Sequence, residues 1–199
     1  MERPLEEEEA NPLAGIAGGP LVLPRNRFSV KIDHLIAAAG HAASWLWPLL
    51  VAVVVLQVVL RYGFGRGSIM FEEIQWHIYA VGFMIGLSYA ADVDRHVRVD
   101  VLAERWSLRT RAWIEMVGLA TFMLPFVLII AIEGIPYAKS AWDFNEVSAA
   151  PGGLSHRWIL KSFITIAASL LVLSAVSRLS RCTTLLFNFP RPHEPGDGR

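Results

Sequence analysis

The chain has 199 residues, 54% hydrophobic and 18% charged, with a formal net charge of zero. A soluble domain carries about a quarter charged residues, and a neutral chain gives no overall electrostatic reason to expect a nucleic-acid or acidic partner. The single cysteine, Cys182, excludes an internal disulfide.

The chain opens with "MERPLEEEEANPLAGIAGGPLVLPRNR". This segment is acidic and has no apolar core ahead of a small-residue cleavage site, so it is expected to be a tail rather than a signal peptide. Its Glu, Pro and Gly content predicts a disordered cytoplasmic tail over residues 1–30. A membrane domain is expected over 31–182, and a second cytoplasmic tail over 183–199.

Four apolar spans come next. The first, 35–60, contains "WLWPLLVAVVVLQVVL" without an ionisable group. At ~1.5 Å per residue it is ~39 Å long, more than the ~30 Å of hydrocarbon, so it must tilt or start among the headgroups. Pro48 is placed to kink it. It closes on "RYGFGRG", where Arg61 and Tyr62 suit an interface and three glycines break the helix. The second span is 71–91, with Ser68 as N-cap and Glu72 and Glu73 at the positive end of its dipole. The third, 111–137, is interrupted by Pro125, and the fourth is 158–179. These segments are apolar all round, which excludes a soluble bundle with wetted helix faces. The predicted fold is all-α: an integral membrane protein with four transmembrane helices in an antiparallel bundle.

Four spans put both termini on the side of the connection "DVDRHVRVDVLAERW". Thirteen Lys and Arg residues fall on that side and five on the other. The positive-inside rule therefore predicts cytoplasmic termini, in a bacterial inner membrane. The connection itself can lie along the lipid surface or be a plain solvated turn.

Ionisable groups within spans are the first place to look for function. Glu73 and His77 are four apart, hence on one helix face. Glu133 and Lys161 are expected at matching depth on neighbouring helices, as an ion pair. His41 and Glu115 lie near the other interface. No charge falls at mid-depth, and no pair of broken helices offers a substrate site of the kind many transporters use. No catalytic, cofactor-binding or metal-binding residue is identified. A four-helix membrane cytochrome is one alternative class, but His41 and His77 differ in depth by about 18 Å, too far to share an iron. A membrane assembly scaffold is another.

The stretch "VVLRYGFGRGSIMFEEIQWHIYAVGFMIGLSYAADVDRHVRVDVL" resembles the small membrane subunit of TRAP transporters, the tripartite ATP-independent periplasmic transporters. The resemblance is carried by Arg61-Tyr62, the Phe71-to-Glu73 helix start, Gly86 and His96-Val97-Arg98-Val99-Asp100. "NEVSAAPGGLSHRWILK" is similar to the family's outer loop. The similarity covers about residues 35–180. It implies a non-catalytic subunit without a cofactor, with sodium coupling located in a large permease subunit. A periplasmic solute-binding protein would deliver an organic acid or related solute. Membrane lipid is the remaining partner, and no nucleic acid is implied. On this reading Arg61, Tyr62, Glu73, His77, Arg98, Asp100, Glu133 and Lys161 are candidates for motif and interface roles. Arg98 and Asp100 would fix the second and third helices at the cytoplasmic surface. Asp143 and Glu146, beside the turn Pro151-Gly152-Gly153, are candidates for docking the binding protein, unless this is merely a polar loop.

Overall fold

The computed structural model describes residues 23–92 and 106–190, which are almost wholly helical. The first helix, α1 (Arg27–Ser44), starts inside the expected tail. Asn26 caps it: its Oδ1 accepts the Ser29 N–H at 2.7 Å, and Ser29 Oγ accepts the Asn26 N–H at 3.1 Å. The same side chain reaches the last helix, donating to Thr184 Oγ1 at 3.1 Å and Ser180 Oγ at 3.2 Å. This second anchorage holds the start of α1 against α6, ahead of the expected boundary at residue 31.

A turn at Trp45, whose backbone stays in the right-handed helical region, separates α1 from α2 (Leu46–Phe64). Pro48 has no N–H for the Ser44 carbonyl, and its ring crowds that turn. The effect of Pro48 thus shows as the interruption between the two helices, one turn earlier, at Trp45. Gly65, at φ 65°, ends α2, and the Arg66 N–H returns to the Leu60 carbonyl at 3.0 Å. Next comes α3 (Ile69–Asp92). Arg98 and Asp100 lie outside the described residues.

The chain resumes with Ser107 capping α4 (Leu108–Gly118). Pro125 does not break the third apolar segment. A wide π turn at Leu119–Met123 passes into α5 (Leu124–Asp143). Pro125 removes one i→i−4 bond, and a single π turn is a common accommodation. The last helix is α6 (Trp158–Phe187), which outruns the expected boundary at 182.

The helix at the centre is α6, which packs against α1, α3, α4 and α5. Among the described residues, and apart from its junction with α1, α2 packs chiefly on α3. The long helices therefore form an open row, α2–α3–α6–α5, an all-helical arrangement as expected. Neighbours at both ends of the row are antiparallel. Gly82 of α3 faces Leu46 and Trp47, while Gln75 meets Gln57. Likewise Gly134 of α5 faces Thr165, while Trp142 meets Trp158.

Among the described residues, three stretches are long and apolar enough to cross a membrane: Arg27–Phe64, Leu108–Asp143 and Trp158–Phe187. Helix α3 is less apolar because it carries Glu72, Glu73, Gln75, His77 and Asp92. The interior is built largely of small residues, among them Ala112, Ala141, Ala167, Ala168, Ala175, Ser88, Ser174 and Ser177. The large apolar side chains, such as Phe122, Phe126 and Ile129, face outwards. That inversion of the soluble pattern suits helices that meet backbone to backbone in lipid. A cleft of about 450 Å³ between α3, α5 and α6 is lined by apolar residues, including Met84, Phe126 and Leu171.

The closest approach in the row is at Gly134, where an added Cβ would fall on Thr165 Oγ1 and lie 3.5 Å from Thr165 Cα. Gly134→Val should destabilise the α5–α6 pair by about 1–3 kcal/mol. Thermal unfolding in detergent checks this: the midpoint should fall relative to Gly86→Val, since a Cβ at Gly86 meets nothing within 4 Å.

Candidate functional site

Polar side chains gather at the two ends of α6. At the end nearest the 144–157 loop, Glu73 is the organising group. Its carboxylate accepts the Leu154 N–H at 2.5 Å and the Ser148 hydroxyl. Ser148 also accepts the Ala150 N–H at 3.2 Å, and its own N–H donates to the Leu154 carbonyl at 2.9 Å. The loop is thereby folded over the first turn of α3. Gly153 is required there: a Cβ would lie 2.6 Å from Ser148 Cβ and 2.8 Å from Glu73 Oε1. His77 turns inward along the same helix, its Nδ1 2.6 Å from the Glu73 carbonyl oxygen.

Lys161 does not pair with Glu133. It forms an ion pair with Glu146, and its ammonium sits 4.0 Å from the Tyr137 ring centroid. The ammonium is drawn to Glu146 because the loop folds back over α6, with Arg157 Nε 4.0 Å from the same carboxylate and the Arg157 N–H donating to the Glu146 carbonyl at 3.3 Å. Glu133 stays exposed on α5. Of the two acidic docking candidates, Glu146 is thus engaged within the chain, and Asp143 is exposed. Arg61 and Tyr62 are also exposed, with the guanidinium 6.0 Å from the ring centroid.

Between α2 and α3 a third contact forms. Gln57 is buried; its Nε2 donates to Glu72 Oε1 at 3.1 Å, and its Oε1 accepts from Gln75. His41 and His77 are far apart: the His41 ring lies 5.9 Å from the Tyr89 ring in a tilted arrangement, and Tyr89 is ~18 Å along α3 from His77 at ~1.5 Å per residue.

The opposite end of α6 carries Arg178 and Arg181, each about 8% exposed. Arg181 binds Asp33 of α1 and, at 3.3 Å, Asp92 at the end of α3. Ser177 donates to Asp33 at 2.8 Å, and Arg178 pairs with Glu115 of α4. One turn of α6 therefore ties three other helices together. Sequence reasoning missed this cluster. The i, i+3 spacing of Arg178 and Arg181 was its only local sign, and the partners come from elsewhere in the chain. Asn26 and Ser148 were missed for the same reason.

Arg181→Met leaves Asp33 and Asp92 without their shared cation. Breaking a buried pair from one side costs about 3–5 kcal/mol, so the purified protein should unfold at a clearly lower temperature. Converting Asp33 and Asp92 to Asn in the same protein should restore much of the loss. Glu73→Ala removes the acceptor for Leu154 and Ser148. Limited proteolysis should then cut the 144–157 loop faster than in the unaltered protein, with Glu73→Gln intermediate.

Known proteins show what kind of scaffold this is. The family profile described as "Tripartite ATP-independent periplasmic transporters, DctQ component" matches residues 50–185. A protein of Haemophilus influenzae, provisionally named TRAP transporter small permease protein, is 28% identical over 141 residues, covering 71% of this chain and 83% of that relative. No solved structure matches the chain significantly. The match runs from α2 through the Glu73 loop clasp to the Arg178 and Arg181 turn of α6, and a chain so matched over most of its helices belongs to the DctQ component family of the tripartite ATP-independent periplasmic transporters.

Proposed function

We propose that this chain is the small membrane subunit of a TRAP system. It supports a large permease subunit in sodium-coupled uptake of an organic acid or related solute brought by a periplasmic binding protein. The family match over residues 50–185 carries the reading. The physical layout agrees with it. This is a multi-pass membrane protein of a transporter family, not of an enzyme family. Its polar groups sit at the two ends of the helices, and the cleft between α3, α5 and α6 is apolar. An organic anion needs hydrogen-bond donors or cations to leave water, and that cleft supplies none.

In the same reading α3 is a fourth span. Its polar first turn stays tolerable because Glu72, Glu73 and Gln75 are bonded to Gln57, Ser148 and Leu154. The Lys and Arg distribution orients the chain with both termini and the 93–105 connection in the cytoplasm of a bacterial cell, and the 144–157 loop in the periplasm. The loop then faces the binding protein. Asp143 is its free acidic group, while Glu146 shapes the loop through Lys161.

Vesicles holding the large permease subunit, with the binding protein outside and a sodium gradient, should take up solute only when this chain is present. Omitting it should remove most of the uptake; full uptake without it would refute the role. Reporter fusions give an independent check of topology. An enzyme active only in the periplasm should work when fused after Pro151 and fail when fused after Arg109.

A further inference from the structure

Glu133 is a charged group within an apolar span for which the fold has no use. Among the described residues no side chain pairs with it, and it is exposed on α5. The residues sharing its helical face, Phe126, Ile129, Pro136 and Tyr137, are exposed as well. In water that would mean little. On a helix long and apolar enough to cross a membrane, this carboxylate faces hydrocarbon.

Snorkelling does not relieve it. Tyr137 and Trp142 mark the interface at the loop end of α5, and Glu133 lies ~6 Å inside Tyr137 at ~1.5 Å per residue. Long Lys and Arg stems escape to an interface from such a depth, but Glu has two methylenes. The direction is also wrong. In an α-helix each Cα–Cβ bond tilts towards the N-terminus, which for α5 means towards Met123 and the membrane interior. Next to it, Pro136 brings no N–H to the Ile132 carbonyl. Among the described residues, this part of the face therefore presents two unpaired acceptors, the Glu133 carboxylate and the Ile132 carbonyl, while the nearby Tyr137 ring is engaged by the Lys161 ammonium.

We infer that the Phe126–Ile129–Glu133–Tyr137 face of α5 is an intramembrane docking surface. Its occupant is a helix of the large permease subunit that presents an Arg, Lys or other donor to Glu133. Charge complementarity selects that occupant: an anion on an apolar face requires a cation or donor at the same depth. The inference rests on the assembly proposed for this chain, and it adds which helix face makes the contact and by what chemistry.

The test is co-expression of tagged full-length chain with the large permease subunit, reading the ratio of the two after purification in mild detergent. Glu133→Leu and Glu133→Lys should each lower that ratio about tenfold, as expected when one side of a buried charge contact is removed. Glu133→Gln, which still accepts a hydrogen bond, should keep a substantial part. The chain's own membrane yield should not fall with Glu133→Leu, because no internal contact is lost. An unchanged ratio in the Leu and Lys variants would overturn the inference and leave Glu133 facing lipid. A change confined to self-association would overturn it in favour of a second copy. If the wild-type chain fails to retain the large subunit, the assembly itself is refuted, and the Glu133 contact with it.

Discussion

An apolar helix gains little by exchanging lipid for another apolar helix. Whatever fixes this chain in one arrangement must come from close backbone contact and polar bonds, and both are concentrated along α6. Gly134 admits Thr165 of α6 at a distance no Cβ would allow, and Gly40 likewise brings α1 onto Tyr89 of α3, which itself packs on α6. The Arg178 and Arg181 turn gathers α1, α3 and α4 at one end of α6. The Glu73 clasp and the Lys161–Glu146 pair close the other. Between these ends, Ser88 donating to the Ala167 carbonyl at 3.2 Å is a short-range stitch between packed helices.

This distribution of polarity explains the division of labour that the family membership implies. A transport pathway needs polar groups at mid-depth and elements that can rearrange around them. Here α3 and α5 are both fastened to α6, and the space between them is apolar. Such a body is suited to stay still while another moves. Its open row leaves α2 and the outer faces of α3 and α5 unburied, surfaces that a closed bundle would have consumed. A scaffold benefits from that exposure, because a flat array presents more surface to a partner than a bundle of the same helices.

The all-helical character and three of the four expected apolar segments were readable from the sequence because the bilayer imposes length and polarity on a span; the remaining one, 71–91, forms α3 but falls short of the apolarity of the other three. The boundary at Gly65 was readable because glycine alone tolerates its φ cheaply. Other features were not. The row arrangement depends on which faces meet, and helices that are apolar all round advertise no face. The partner of Lys161 was misjudged because depth was inferred from straight helices. The loop folds back and brings Glu146 within reach. Pro125 was read as an interruption, but the π turn absorbed it. The Arg181 cluster joins residues from α1, α3 and α6, and no periodicity links positions so far apart in sequence. Glu73 stood out in both sequence and structure: it occupies the helix start that resembles the family motif, and it holds the loop.

A chain that is dry at mid-depth should move nothing by itself. The direct measurement is solute flux in vesicles that contain only this protein, with sodium and organic-acid gradients imposed in either direction. The expected flux is indistinguishable from that of protein-free vesicles. Sustained sodium-dependent solute entry without a companion subunit would contradict the scaffold role.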